Sequence, residues 1–380
     1  MMKWIDLAVF AVDPDHPEKS RVYSDFSGQP SPTALLDFSS SVPLSDFNLS
    51  GATAPVYAER VGFSILSDQL VPPGSDRPVP VFSASLVGYD PGNHGSHVAG
   101  IAAGRKTISN DPDTTLARGV APAARILSDR VCSNTGGCNP LEAIIDLALE
   151  GKADVINLSL GSLSPFNDGY GTEETIINRL TSIANVLFVI SAGNSGPGRQ
   201  TVASPSVARR AISVAATATR AMIRRQYEWP GDGLDSGGDD DDFVLYFSSR
   251  GPTAAGGFAP NLSAPGTELS SVQLNAAPGA HAGLDVYWGT SMAAPMVSGA
   301  YALLLDAVRK YDSKHPESPI PTDVETLRTA LVSSGRAFGL GEFTWIDEGT
   351  GMVDLTAAWN ALLKSRSDVL DTGVRNSKGE

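Results

Sequence analysis

Charge is scarce in this 380-residue chain, and positive charge especially so. Only 18% of residues are charged, and 42 acidic against 28 basic residues leave a formal net charge of −14. Nucleic acid and anionic membrane surfaces both call for a basic face, so neither is an expected partner. No uninterrupted run of about 18 apolar residues occurs, so no segment carries the plain signature of a membrane-spanning helix. The opening MMKWIDLAVFAV is a poor signal peptide, because Asp6 breaks a short apolar stretch and no small-residue cleavage site follows. Cysteine is nearly absent: Cys132 and Cys138 stand alone in VCSNTGGC. Two cysteines without others cannot complete a zinc site. They are either a disulfide closing a glycine-rich loop, which implies an oxidising compartment, or two free thiols near a strand end.

What is present is enough apolar material, 42% of residues, for a full core. The length suits one large α/β domain or two ordinary ones. Residues 1–85 are rich in Pro, Ser and Asp, show no helical period, and contain strand-like runs at 7–12 and 79–87. From residue 86 apolar strands alternate with amphipathic helices. Strands are expected at 124–128, 153–160, 186–191 and 211–215, and helices at 98–104, 141–150 and 174–184. Late helices are expected at 322–335, opened by a capping box from Thr322 to Glu325, and at 355–364. Alternation of this kind, with strands apolar on both faces, predicts an α/β fold with a mostly parallel central sheet and helices on both faces. The expected organisation is an irregular segment 1–85, a core 86–365 and a polar tail 366–380. Within the core, Asp239–Asp242 form an acidic run that reads as a solvated loop or, alternatively, as a structural calcium site; no other cofactor is indicated.

Three segments carry chemistry. NHGSHVAGIAAG (93–104) places His94 at the start of a small-residue helix; His94 and His97 as a metal pair would lack a carboxylate in the motif. VLFVISAGNSGPG (186–198) runs a buried strand into a glycine-rich turn bearing Asn194, either a donor into a crevice or an ordinary turn asparagine. YWGTSMAAPMVSG (287–299) places Ser291 after Gly-Thr at the start of an apolar helix, where free N–H groups favour developing negative charge. Alone, Ser291 reads equally well as an N-cap. Gly289 permits a sharp turn, and Pro295 is expected in the first helical turn, where its missing N–H costs little.

Taken together, HGSHVAG, SAGNSG and GTSMAAP resemble the three signature blocks of the subtilisin-like serine peptidases. GVAPAARILS, ADVINLSLG, FSSRGP and NLSAPG between them are similar as well, and the likeness covers roughly residues 86–365. The resemblance implies a subtilisin-like three-layer fold and peptide-bond hydrolysis, with Ser291 as nucleophile, His94 as base and Asn194 as oxyanion donor. It implies an extended peptide or protein substrate lying along Ser159, Leu160 and Gly161, with a side-chain pocket walled by that strand and by Ser191, Ala192 and Gly193. No catalytic metal is implied. The expected setting, extracellular or secreted, follows from the disulfide reading of Cys132 and Cys138. The long stretch before FSSRGP and the closing EGTGMVDLTAAWNALL are similar to the tripeptidyl-peptidase II and pyrolysin-like branch. An α/β-hydrolase is excluded, since it needs G-x-S-x-G and a serine that precedes the histidine.

One block is missing. Members of the family carry an aspartate in Asp-Thr-Gly or Asp-Ser-Gly ahead of the histidine, and neither occurs here before His94. Asp13, after the run 7–12, is the in-chain candidate. The reading preferred on sequence is that the chain begins inside an insertion that separates aspartate from histidine in that branch. On that reading His94 and Ser291 face each other without an aspartate from residues 1–85, and the isolated chain is either unstable or recruits residues 5–12 as a substitute for the absent strand. The rival reading is a catalytically impaired peptide-binding module.

Overall fold

A chain segment without helical period can satisfy its backbone in ladders, and the described residues of the first quarter of this protein do so. In the computed structural model, Asp6–Ala11 (β1), Arg21–Asp25 (β2), Ser41–Pro43 (β3) and Tyr57–Glu59 (β4) are strands, as are Gln69–Leu70 (β5), Val79–Pro80 (β6) and Ser83–Gly88 (β7). The structure describes residues 6–11, 21–25, 41–43, 57–59, 69–70, 79–80, 83–88, 93–104, 118–129, 131–132, 138–164, 166–227, 242–272, 283–338 and 343–364. The strand order β3-β2-β1-β7-β4 is antiparallel throughout, and β5 pairs with β6. β1 is therefore paired on both edges, by β2 and β7. Of the residues 5–12 expected to substitute in a parallel sheet, the described ones, 6–11, do not do so, because this antiparallel sheet already uses both of their edges. Asp13 lies outside the described residues.

Two units divide the chain. The first comprises residues 1–95, 127–146 and 273–283, and the second residues 96–126, 147–272 and 284–380. In the first, Cys132 and Cys138 are joined by a disulfide, so the disulfide reading of VCSNTGGC holds.

Helices His94–Ala103 (α1) and Leu141–Leu149 (α2) precede the strands of the second unit. Its sheet is built from Val155–Leu158 (β8), Leu187–Ser191 (β9), Ile212–Thr219 (β10), Asp242–Val244 (β11) and Leu262–Pro265 (β12). β8, β9, β10 and β12 run parallel, and β11 is antiparallel on β10. Every residue of β9 is buried, as is β10 up to its last, which is what a strand covered on both faces requires. Thr172–Ala184 (α3) packs on β9, and Arg220–Tyr227 (α4) follows β10. Thr267–Val272 (β13) and Gly283–Trp288 (β14) pair as a ribbon that leads into the long helix Thr290–Lys314 (α5). α5 lies across β8, β9, β10 and β12. Its buried Ala293, Ala294, Val297, Tyr301, Leu304 and Val308 join Leu187, Val189, Ile212, Val214 and Leu262 of the sheet in one core. By length and composition α5 alone among the described helices could cross a bilayer, but 67% of its most apolar window is buried inside the protein.

Val324–Ser333 (α6) packs on α5, followed by Trp345–Glu348 (α7) and a helix at 355–364. The expected capping box at Thr322 is absent. The cap is Asp323, whose carboxylate accepts from the Thr326 N–H (2.9 Å). Between α7 and the last helix the chain stitches onto β12: Thr350 N–H donates to Asn261 O, Ser263 N–H to Gly351 O and Val353 N–H to Ser263 O.

The expected strand 124–128 does not form. A strand needs a ladder partner, and among the described residues β8 pairs with β9 alone and nothing pairs with 124–128. Ile126 and Leu127 are left about half exposed, at 50% and 52%.

Candidate active site

The serine helix starts from an unusual backbone. Gly289 caps α5 with φ 153°, and Ser291 is the second helical residue. Pro295 is accordingly the sixth residue, not part of the first turn as the sequence suggested. There its missing N–H would have bonded the carbonyl of residue 291, and an interior proline normally costs that bond outright. The vacancy is filled from another element: Ser159 Oγ–H donates to Ser291 O at 2.8 Å. Ser159 Oγ in turn accepts from Asn157 Nδ2 (3.0 Å), and Asn157 Oδ1 accepts from Ser298 Oγ (3.0 Å), two turns along α5 from Ser291. Each donor in this relay points the same way, so the bonds polarise one another. Ser291 Oγ, half-buried, lies 3.4 Å from Ser159 O.

Asn194 follows the end of β9. Its Oδ1 accepts from the Thr290 N–H (2.9 Å) and from Thr290 Oγ1 (3.0 Å). A backbone N–H can only donate, so the oxygen of the amide must face Thr290 and the NH2 must face away. That NH2 donates to none of the described residues and lies on an exposed side chain, 3.5 Å from the point where a Cβ on Gly289 would sit. Thr290 Oγ1 also accepts from the Gly193 N–H at 3.1 Å. One threonine thus locks the Asn194 turn to the first turn of α5. Gly193 has φ 105°, and a Cβ there would come within 2.8 Å of Ser249 Oγ and 3.0 Å of Ala203 Cβ, so the turn requires glycine. Ser249 N–H donates to Gly193 O from the other side.

The remaining sequence candidates fall around this pair. Ser191 and Ala192 are buried at the strand end: Ser191 Oγ lies 3.5 Å from the carbonyls of Leu158 and Leu160, and Ala192 N–H donates to Val214 O. Ser159, Leu160 and Gly161 leave β8 immediately beside Ser291, and Leu160 is half-buried while Gly161 is exposed. The structure therefore brings together Ser159, Gly193, Asn194 and Ser291. His94 is the first residue of α1 and is exposed; with Gly95 it falls in the first unit. Thr290, Asn157 and Ser298 were not picked out from the sequence. The threonine of Gly-Thr-Ser was the available signal, and the other two carry none outside the fold.

His97 is wholly buried and does structural work. Its Nε2 lies 3.1 Å from Glu268 O and 3.0 Å from Asp285 O, so one N–H spans both strands of the ribbon. Its ring stacks on Tyr287 at 4.4 Å. Ser270 Oγ donates to His97 O at 2.8 Å. Burial pushes the Glu268 carboxyl up to about 7. Of the acidic run, Asp239–Asp241 lie outside the described residues, and Asp242 pairs with Arg336 at 2.7 Å. Among the described residues no group of three or more His, Cys, Asp or Glu side chains is placed to hold a metal.

The Subtilase family profile, Peptidase S8, matches residues 84–351. Pyrolysin of Pyrococcus furiosus is 31% identical over 370 residues, covering 86% of this chain and 25% of pyrolysin. Tripeptidyl-peptidase 2 of Arabidopsis thaliana is 32% identical over 291 residues, covering 72% of this chain and 18% of that protein. The chain thus spans a quarter or less of the length of these relatives. Among solved structures, the protease domain of PatA superposes with a TM-score of 0.51 at 26% identity, covering 72% of this chain and 81% of that one. The α/β fold with its mostly parallel sheet is the subtilisin-like fold, and this chain belongs to the subtilase family of peptidases.

Proposed function

We propose that the protein hydrolyses peptide bonds through an acyl-enzyme on Ser291. The observation that carries the reading is the Asn194 amide. Thr290 holds its oxygen, so its NH2 is presented, without a protein acceptor among the described residues, beside the N-terminus of the helix that bears Ser291. A fixed donor and a helix N-terminus at one serine are what a developing oxyanion needs. In the reaction, His94 takes the proton of Ser291 Oγ as it attacks the carbonyl. Asn194 Nδ2 and the Ser291 N–H hold the oxyanion, and His94 then protonates the leaving amine. Water repeats the sequence on the ester. The substrate lies extended along Ser159–Gly161 as an added strand, its side chain between that segment and Ser191–Gly193.

The catalytic core is assigned to 86–365, with 1–85 an insertion-like segment and 366–380 a tail. Likeness to pyrolysin and tripeptidyl-peptidase 2 supports a serine endopeptidase or a tripeptidyl-peptidase. The disulfide supports an oxidising, extracellular setting, as does 41% identity over 128 residues to the minor extracellular protease Vpr of Bacillus subtilis.

A second reading, a peptide-binding module without turnover, is favoured by the missing Asp-Thr-Gly or Asp-Ser-Gly block. An aspartate holds the histidine tautomer and stabilises the imidazolium, and its loss costs a subtilisin-type triad about 3 × 10⁴ in kcat. A fluorophosphonate probe separates the two. Covalent labelling that disappears in Ser291→Ala supports the enzyme. Labelling that persists in that variant removes Ser291 from the mechanism, and a folded chain that takes no label is the binding module.

A further inference from the structure

The segment behind the proposed groove is held by a buried carboxylate. Ser204 and Ser162 exchange both backbone bonds, Ser162 N–H to Ser204 O at 3.0 Å and Ser204 N–H to Ser162 O at 2.9 Å. Gly161, with φ 156°, lies so close that a Cβ on it would stand 2.8 Å from Ser204 O and 3.2 Å from Ala203 Cβ. On the other side, Ala203 N–H donates to Ala192 O at 2.8 Å, and a Cβ on Gly193 would meet Ala203 Cβ at 3.0 Å. Residues 203–204 are therefore the spacer between the two walls, 159–161 and 191–193. The spacer is fixed from outside the groove: Ser204 Oγ–H donates to Glu174 Oε1 at 2.5 Å. Glu174 is 3% exposed and is the third residue of α3. Its other oxygen folds back over the cap residue Gly171, where a Cβ would overlap it. A buried carboxylate is tolerable only when it is hydrogen-bonded, and the Ser204 hydroxyl is a donor to it.

We propose that Glu174 is a positioning residue for substrate binding, setting the separation of the two groove walls through Ser204. This rests on the peptidase reading of the same groove. The carboxylate touches no substrate; it anchors the hydroxyl of the residue on which Gly161 and Ser162 rest. Losing the anchor lets the spacer shift, which weakens the hold on an extended peptide and leaves Ser291, Asn194 and Thr290 in place.

The test is Glu174→Ala, Ser204→Ala and the double variant, each in the full chain. A fluorescein-labelled casein decapeptide is used for binding, measured by anisotropy in a Ser291→Ala background. The same peptide is used for turnover with Ser291 intact. Expected are a Kd and KM raised about tenfold in each single variant, kcat within about threefold of the parent, and a double variant no worse than the worse single, as members of one interaction behave. Fluorophosphonate labelling of Ser291 should keep its rate. A fall in thermal midpoint with Kd and KM unchanged would make Glu174 a helix cap only and overturn the proposal, as would additive effects of the two substitutions. A parent chain that binds the peptide without cleaving it fails the peptidase reading while leaving the anisotropy comparison decisive. A parent chain that binds no peptide overturns the positioning role as well.

Discussion

The hydrogen bond from Ser159 to the carbonyl of Ser291 stands in for the one that Pro295 removes from the helix, and its worth can be estimated. In Ser159→Ala the Ser291 carbonyl loses a 2.8 Å donor, and no helical N–H is available to replace it. Asn157 Nδ2 loses its 3.0 Å acceptor in the same step. A net hydrogen bond is worth about 1 kcal/mol, and leaving one partner buried and unsatisfied costs about 1–3 kcal/mol. The site is only partly buried, so water recovers some of this, and a loss of about 1–2 kcal/mol is expected. Urea unfolding followed by circular dichroism reads it as a lowered midpoint at unchanged slope. The diagnostic is the second substitution. Pro295→Ala returns an N–H four residues after Ser291, so the carbonyl regains a partner along the helix. In a double-mutant cycle, Ser159→Ala should cost at least about 1 kcal/mol less in the Pro295→Ala background than in the parent. Equal costs in both backgrounds would refute the argument that Ser159 compensates for the proline.

Asn194→Asp separates the two ends of that side chain: the acceptor toward Thr290 is kept and the outward donor becomes an anion. The thermal midpoint should hold while kcat falls by about 100-fold or more with little change in KM, whereas a loss confined to KM would make Asn194 a substrate-binding residue. Glu268 predicts a pH effect. Its folded-state carboxyl titrates near 7 against the ordinary 4.5, so the native state binds the extra proton between these values. Its contribution to stability is greatest below about pH 4.5 and is lost as pH rises through 7, to a limit of about 3 kcal/mol. Glu268→Gln should flatten the fall in urea midpoint between pH 5 and 7.5; an unchanged slope would mean that Glu268 is not the titrating group.

Local pattern announced most elements of the second unit, because burial on both faces imposes continuous apolar runs that periodicity detects. β9 and α3 begin and end within two residues of their expected bounds. β10 runs four residues past its expected end, since the small residues of Ala215–Thr219 carry little strand signal until β11 and β12 pair with them. β13 and β14 were missed: a ribbon rich in polar residues has its cause in its partner, here with His97 spanning both strands. Residues 124–128 failed the other way, with strand composition but no ladder partner among the described residues. Around α5, Ser291 and its neighbours Ser159 and Asn194 were singled out from their blocks, and the structure places them together. The Thr290 lock and the Asn157–Ser298 relay were not, since a threonine or serine in sequence does not reveal which carbonyl or amide it will meet.

The stitching of residues 350–353 onto β12 bears on when the fold can close during synthesis. β12 flanks β10, and β10 supports the helix that carries Ser291, yet part of β12's bonding comes from Gly351 and Val353, some ninety residues further along the chain. Chains emerge from the amino end, and contacts of large sequence separation form last. The helix that carries Ser291 therefore leaves the ribosome well before the layer beneath it can close, and the fold around it is completed only once residues 351–353 have been made.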